Sequence, residues 1–274
     1  MLSVNTNSNA MIALQYLNNT QGQMATTQSA ISTGLKVASA KDDGATYAIA
    51  QNMRGNVSGY QAVSDSINRA MSTVDTAMSA SQSISDLLIQ MKAKALSASD
   101  VSIDTASRQA LNQDFIALRD QITSITKNAV FNGYNLIDGS TTQITALASS
   151  DGSRRVTVGA QNMSLSGSIV TVKSTGTIST AAKASTMIAT VQASLTNVNA
   201  ALAKLSAGSK KYSVQLSFTQ RLSDTLTSGI GHLVDADMAV ESAKLTSLQT
   251  KQQLGVQALS IANQAPQTIL SLFQ

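Results

Sequence analysis

Apolar residues recur along much of this chain at alternating steps of three and four, which is the spacing of a helical coiled-coil seam. The longest regular series lies between Gly59 and Gly133, a stretch that contains neither glycine nor proline. Its positions are Tyr60, Val63, Ile67, Ala70, Val74, Ala77, Ser81, Ile84, Leu88, Met91, Ala95 and Ala98. The pattern predicts one long helix with a single buried face.

A second helix is predicted to fold back on the first. Residues 100–104 have the composition of a turn, and Asp104 is a candidate N-cap for the helix that follows. The second seam consists of Leu111, Phe115, Leu118, Ile122 and Ile125. Two seams joined by a short turn predict a helical hairpin.

The middle of the chain changes from helical to strand-like spacing. Asn132-Gly133, Asp138-Gly139 and Asp151-Gly152 are turn dipeptides. Residues 155–158 and 169–172 are β-branched and alternating, so they predict short strands.

Helix is predicted again from about Ala181 to about Thr227, with Gly229 and Gly231 ending it. Its seam positions are Ile188, Val191, Leu195, Val198, Leu202 and Leu205.

The two ends of the chain are helical in pattern but carry no charge. Lys36 is the first charged side chain and Lys251 is the last. The front seam runs through Ala10, Leu14, Leu17, Gln21, Met24, Gln28 and Ile31, and the back seam through Ala258, Ala262, Ala265, Ile269 and Leu272. Because exposed chain ends are usually charged and frayed, these ends are predicted to be buried against other helices. Their apolar positions are the candidate subunit-packing residues.

The predicted fold is mainly α: an elongated rod of long antiparallel coiled-coil helices with a small β-hairpin region, and with the N- and C-termini paired at one end. The predicted parts are a terminal helical pair (1–35 and 237–274), linkers (36–58 and 228–236), a helical rod (59–130 and 181–227) and a small β-rich surface region (131–180).

Composition and charge argue against several kinds of function. The net charge is +4, but the basic residues form short separate pairs without interleaved aromatic residues, so nucleic-acid binding is not predicted. No window approaches eighteen apolar residues, and the first residues lack the regions of a conventional signal peptide. Membrane insertion is therefore not predicted, and export would use another route. The absence of Cys excludes disulfides and thiolate metal sites.

Catalytic and metal-binding patterns are also missing from the sequence. His232 is the only histidine, so no Ser–His or Cys–His pair is available. The carboxylates Asp42, Asp43, Asp235 and Asp237 could suggest a cation site, but the polarity of a linker explains them more simply. We predict no enzyme activity, no cofactor and no metal.

The sequence resembles the bacterial flagellins in both terminal regions. The matching stretches are residues 30–43 (AISTGLKVASAKDD), Phe131-Asn132-Gly133 with Leu136, residues 233–239 (LVDADMA) with Glu241, Leu254, residues 262–264 (ANQ) and residues 269–273 (ILSLF). The resemblance covers roughly 1–140 and 185–274, and the unmatched middle is the part in which that family varies.

The resemblance implies a structural subunit that polymerises helically into the extracellular flagellar filament used for motility. It implies secretion of the unfolded chain through the filament channel and assembly at the tip. The implied partners are other copies of the chain, the flagellar export apparatus, an export chaperone, and the hook-associated and cap proteins. The absence of crosslinks and the single Pro266 suit a chain that is threaded through a tube.

Two alternatives remain open from the sequence. The junction protein between hook and filament shares the terminal helices, and an intracellular coiled-coil scaffold would share the seams. A scaffold would be expected to carry charged residues beside its seams, whereas only 12% of this chain is charged.

Two further sets of sites follow from the resemblance. Flagellins are often O-glycosylated on the outer region, where the candidates here are Thr141, Thr142, Thr145, Ser164, Ser166, Ser168, Thr171, Thr175 and Thr177; the alternative is unmodified hydroxyls. The vertebrate innate flagellin receptor reads a stretch that resembles Gln-Arg-hydrophobic-Arg-acidic-Leu, and the same place here is residues 89–94. Gln90 replaces an Arg, Ala93 an acid and Lys94 an apolar residue, so recognition is predicted to be weak.

Overall fold

The computed structural model describes the backbone of residues 6–270 and the side chains as far as Gln264. The described chain is mainly helical, as predicted, with two small antiparallel hairpins. The elements in order are α1 (Ser8–Thr33), α2 (Gly44–Ser99), α3 (Thr105–Asn128), β1 (Val130–Phe131), β2 (Tyr134–Asn135), β3 (Gln143–Leu147), β4 (Arg155–Gly159), α4 (Ala181–Val234) and α5 (Met238–Leu270).

The chain divides into two compact units. Unit 1 consists of Met1–Gly55 and Thr225–Gln274, and unit 2 consists of Asn56–Asp224. Both α2 and α4 continue through a unit boundary without a break.

The core of unit 2 lies along the predicted seam of α2. Every position of that seam is buried except Tyr60, which is partly buried against the same cluster. The other two helices of the unit contribute to the same core, α3 with Phe115 and Ile122 and α4 with Val191. The hairpin of α2 and α3 is antiparallel, since Arg108 Nε donates to the Ala98 carbonyl at 3.0 Å while Lys94 Nζ lies 2.6 Å from Asp114 Oδ2. The seam prediction for this unit is confirmed.

Helix α4 runs antiparallel to α2, as the cross-helix hydrogen bonds show. Lys92 Nζ donates to Gln192 Oε1 at 2.6 Å, and Ser209 Oγ donates to Asp75 Oδ1 at 3.2 Å, so the residue number rises on one helix as it falls on the other.

The predicted caps and turns are present. Asp104 Oδ1 accepts a hydrogen bond from the Ser107 amide at 2.7 Å, as an N-cap does. Asn132 (φ 48°) and Gly133 (φ 82°) both adopt positive φ between β1 and β2, as the favoured two-residue hairpin turns require.

The predicted linkers 36–58 and 228–236 are mostly helical, which corrects the interpretation of their glycines. Helix α2 begins at Gly44, and α4 passes through Gly229 and Gly231 to Val234. A Cβ on Gly229 would lie 3.0 Å from Met53 Cε, and one on Gly231 would lie 2.7 Å from Asp235 Oδ2. These glycines are therefore positions of close approach rather than helix ends, and the packing offsets their cost of about 1 kcal/mol.

Residues 169–172 form a loop rather than the predicted strand. Val170 and Val172 are buried, as the alternation indicated. The amide of Thr171 donates to Ser194 Oγ of α4 at 3.0 Å instead of to a neighbouring strand. The partner of this backbone is thus a helix side chain, which periodicity alone does not reveal.

Candidate assembly surface

The terminal pair, which is α1 with α5, is antiparallel over its described length. At one end Asn7 Nδ2 donates to the Ala262 carbonyl at 2.7 Å. At the other end Leu35 and Asp235 form an isolated antiparallel bridge. Between them Leu17 lies against Gly255, where an added Cβ would meet Leu17 Cδ1 at 3.4 Å. The predicted pairing of the two ends is confirmed for these residues.

The sequence predicted some, but not all, of the α1 residues that face α5. Leu17 is buried and Ala10, Met24 and Ile31 are half-buried, as expected. Leu14 does not face α5 within the subunit, because it is 47% exposed, and its role in packing between subunits stays a prediction.

At every second position, the residue of α1 that faces α5 is the one just before the predicted residue. The observed seam positions are Ala10, Ala13, Leu17, Thr20, Met24, Thr27 and Ile31, and the predicted Gln21 and Gln28 are exposed. Small residues let the helices approach closely, so α1 turns Ala13 inward and leaves the larger Leu14 outside.

Helix α5 also shows a one-residue displacement, here to the following residue. Ala258 is exposed and Leu259 is half-buried, whereas Ala262 is half-buried as predicted. The α5 seam runs through Glu241, Leu245, Leu248, Gln252, Gly255, Leu259 and Ala262. The side chains of Ala265, Ile269 and Leu272 lie outside the described residues.

Large apolar side chains cover the exposed sides of the terminal pair, and sequence reasoning missed most of them. We call this set the outer face; it comprises Met11, Ile12, Leu14 and Tyr16 of α1 and Leu254, Val256 and Ile261 of α5, which are 47–68% exposed. A groove of about 370 Å³ runs along α1 beside Met11, Leu14 and Asn18. Apolar residues on more than one face of an uncharged helix were the available signal. Exposed apolar surface of this kind marks an interaction site.

A clasp of backbone hydrogen bonds holds residues 34–37 against the end of α4. The amides of Lys36 and Val37 donate to the Val234 carbonyl at 2.8 and 3.3 Å. The Ala236 amide donates to the Gly34 carbonyl at 2.9 Å. Val37 and Val234 bury a small apolar cluster with Ala50.

The four linker carboxylates do not converge on one point. Asp42 accepts hydrogen bonds from the Ala38 and Ser39 amides, and Asp237 accepts from the Ala239 amide. Asp43 caps α2, and the hydroxyl of Thr46, with its amide, holds the pKa of Asp43 below its usual range. Across the part of the chain that is described, no three His, Cys, Asp or Glu side chains group as metal ligands would.

The predicted receptor stretch lies on α2 in unit 2. Gln90 and Ala93 are exposed, and Ile89 beside them is 53% exposed. Lys94 is half-buried, and its ammonium group contacts Asp114 rather than projecting freely.

The candidate glycosylation residues differ in accessibility. Thr142, Ser166, Ser168 and Thr175 are exposed, and the other five are half-buried. Three of the half-buried hydroxyls have partners: Ser164 donates to the Asp138 carbonyl at 3.0 Å, Thr171 Oγ1 lies 2.9 Å from Ser194 Oγ, and Thr145 Oγ1 lies 3.5 Å from Thr157 Oγ1.

These features define a class: a helical structural protein with an uncharged, apolar terminal pair suited to self-association. None of the described helices is both long and apolar enough to cross a bilayer.

Comparison with known proteins gives the family. Residues 4–142 match the bacterial flagellin N-terminal helical region, and residues 188–273 match the bacterial flagellin C-terminal helical region. The chain belongs to the bacterial flagellin family.

Two flagellins align with at least 99% of the chain. The chain is 53% identical to flagellin FljK of Caulobacter vibrioides over 272 residues, which covers 99% of this chain and 98% of that protein. It is 36% identical over 283 residues to a flagellin of Brucella melitensis, with full coverage of both. A crystal structure of Bacillus cereus flagellin aligns with a TM-score of 0.49 at 22% identity, covering 55% of this chain and 86% of that one.

Proposed function

We propose that this chain is the structural subunit that polymerises into the bacterial flagellar filament, and that the outer face of the terminal pair is where subunits pack. Membership of the flagellin family supports the filament role. The observation that carries the packing role is the exposed apolar outer face on helices that carry little charge. Burying such a surface between copies is favourable at about 25 cal/mol per Å², and no charge on α1 opposes it.

Several finer roles belong to the same proposal. Residues 1–35 and 237–274 line the filament interior, the linkers and helical rod surround them, and residues 131–180 face outward. The subunit is secreted, reaches the tip unfolded through the channel, and meets the export apparatus, an export chaperone, and the hook-associated and cap proteins. A chain without Cys supports this route because it forms no crosslinks.

A charge placed on the outer face tests the packing role. Leu14→Lys should abolish seeded polymerisation of the purified subunit, because the charge would be buried between subunits. Leu14→Met keeps the surface apolar and should polymerise normally. Normal filaments from Leu14→Lys, judged by sedimentation and electron microscopy, would rule the outer face out.

The filament role itself is tested on cells. Mass spectrometry of sheared surface fibres should identify this chain as the repeating subunit. If it occurs only at the hook end, the junction alternative is correct, and if it stays in the cytosol, the scaffold alternative is.

Glycosylation is proposed at the exposed hydroxyls of the middle region. Within the described chain, Thr142, Ser168 and Thr175 are exposed candidates whose hydroxyls have no hydrogen-bond partner. The intact mass of the native subunit decides the question, because a mass equal to the bare chain removes the proposal.

Weak recognition by the vertebrate receptor is proposed for the monomer. The replacements at Gln90, Ala93 and Lys94 together should lower affinity at least about 100-fold, since a lost Arg anchor is a typical hot spot. A reporter assay should show recovery with Gln90→Arg, Ala93→Glu and Lys94→Leu combined. Full activation by the unaltered chain would contradict the proposal.

A further inference from the structure

A cleft of about 670 Å³ lies in unit 2 between the loop 171–177 and the first turns of α4. Its volume is within the range of small-molecule sites. The family matches end at residue 142 and resume at residue 188. Of the residues that line the cleft, all but Thr190 fall in that gap. The cleft is therefore a feature beyond the shared helical regions that make this chain a flagellin.

Both walls of the cleft are held in place by hydrogen bonds. At one end the Thr171 amide is bound to Ser194 of α4. At the other end Arg119 Nη1 donates to the Gly176 carbonyl at 3.1 Å, and the Ile178 amide donates to Asn112 Oδ1 at 2.7 Å. The loop is thus anchored to α4 and α3, so the cleft is formed before any ligand arrives.

The charge in the cleft is positive and uncompensated. Lys173 and Lys183 line it and are exposed, and no acidic residue lines it. Within the described residues neither ammonium group has a carboxylate partner within 4.0 Å. Two cations flanking one concave surface favour a ligand with negative charge.

The remaining lining suits a ligand that is rich in hydroxyl groups. Threonine hydroxyls come from the loop at Thr177 and from α4 at Thr186, where Thr186 donates to the Ala182 carbonyl and offers its oxygen as an acceptor. Met187 and Gly176 supply an apolar patch, with Met187 Cε 3.0 Å from the position of a Cβ on Gly176. A sugar ring presents hydroxyls at its edge and C–H groups on its faces.

We infer that this cleft binds an acidic carbohydrate, a short run of carboxylate-bearing sugars such as uronic acids. The lysines meet the carboxylates, the threonines meet the hydroxyls, and Met187 lies under a ring. A lone inorganic anion would leave most of the volume unfilled. The inference does not depend on filament assembly.

The test is calorimetric titration of the full-length monomer with trigalacturonate at low ionic strength. Lys173→Gln with Lys183→Gln should weaken binding at least about tenfold, since two charge-assisted contacts are lost. Lys204→Gln with Lys210→Gln removes the same charge from exposed positions elsewhere on α4 and should leave binding within about twofold. Ala182→Phe should also abolish binding, because it fills the cleft and keeps both charges.

Four outcomes would overturn the inference: no binding to the unaltered chain, equal loss in the control pair, unchanged binding in Ala182→Phe, or equally tight binding of pentaglutamate or phosphate. Circular dichroism confirms that each variant is folded. Galacturonate monosaccharide, which has one carboxylate and one ring, should bind more weakly than the trimer.

Discussion

Unit 1 and unit 2 bury their apolar residues to very different extents. In unit 2, Ile67, Leu88 and Phe115 are completely buried in one continuous cluster. In unit 1 the terminal pair buries Leu17 and Leu248 but leaves the outer face in solvent. The same three-four spacing therefore serves two purposes: unit 2 completes its own core, and unit 1 presents a surface that other copies can cover.

Buried polar atoms without hydrogen-bond partners also differ between the two units. Of the described side-chain atoms that are buried without a hydrogen-bond partner, Thr27 Oγ1 and Glu241 Oε2 lie in the terminal pair, and Thr219 Oγ1 lies in unit 2. Lys244 Nζ lies 3.5 Å from Glu241 Oε2. A buried polar atom without a partner lowers the free energy of unfolding, so the terminal pair, with two such atoms, loses more stability to them than unit 2 does.

The largest predicted effect is a loss of polymerisation that leaves the folding of unit 2 unchanged. Deleting residues 255–274 should abolish polymerisation, because it removes the half of α5 that packs on Leu17. Unit 2 should remain folded with its cooperative unfolding intact. Sedimentation measures the first and urea unfolding the second; filaments formed by the truncated chain would contradict the role of the terminal pair.

Large-to-small substitution should then affect the units unequally. Phe115→Ala should lower the free energy of unfolding of unit 2 by about 3–5 kcal/mol, because it leaves a cavity in a closed core. Leu17→Ala should leave the main urea transition within about 0.5 kcal/mol, since the terminal pair opens separately from the unit 2 core. Equal shifts in both variants would show that the two units unfold together.

A smaller effect is expected at Tyr212, which fixes the second hairpin of unit 2. Tyr212 is fully buried, and its hydroxyl donates to the Ile144 carbonyl of β3 at 2.9 Å. Tyr212→Phe should cost about 1–3 kcal/mol, because a buried carbonyl loses its donor. Urea unfolding at neutral pH measures this loss, with the exposed Tyr134→Phe as the matched control.

The same residue gives a pH dependence with a defined sign. Burial raises the pKa of Tyr212 from 10.0 to about 12. The unfolded chain therefore loses this proton first as the pH rises, and the stabilising contribution, complete below pH 10, declines between pH 10 and about 12. Tyr212→Phe should show a shallower decline than the unaltered chain over that window. Identical slopes would contradict the assignment.

The smallest effects are gains from removing unpartnered hydroxyls. Thr27→Val and Thr219→Val keep the shape of the side chain and remove a buried oxygen without a partner, so each should stabilise by about 1 kcal/mol. Thr219→Val should raise the urea midpoint of unit 2. Thr27→Val should instead slow hydrogen exchange in α1 and α5, and a loss of stability in either variant would indicate an unseen hydrogen bond.

Sequence alone determined the features that depend on local chemistry. The positions of the α2 seam, including Ile67 and Leu88, follow from an unbroken repeat that has only one apolar face. The Asn132-Gly133 turn and the Asp104 cap follow from backbone preferences of a few residues. The uncharged ends, which led to an assembly role, are a direct property of composition.

Tertiary structure decided which of two neighbouring residues faces a partner. Each residue turns a helix by about 100°, so a seam through Ala13 and a seam through Leu14 are both consistent with a three-four repeat. The choice depends on how closely α1 and α5 approach each other. Gly255 of α5 permits the close approach because it has no side chain where Leu17 of α1 packs. The same reason explains Gly229, which was interpreted as the end of a helix but lies inside α4 with Met53 against it. Local sequence fixes the spacing of a face, but the contacts between distant segments fix its direction.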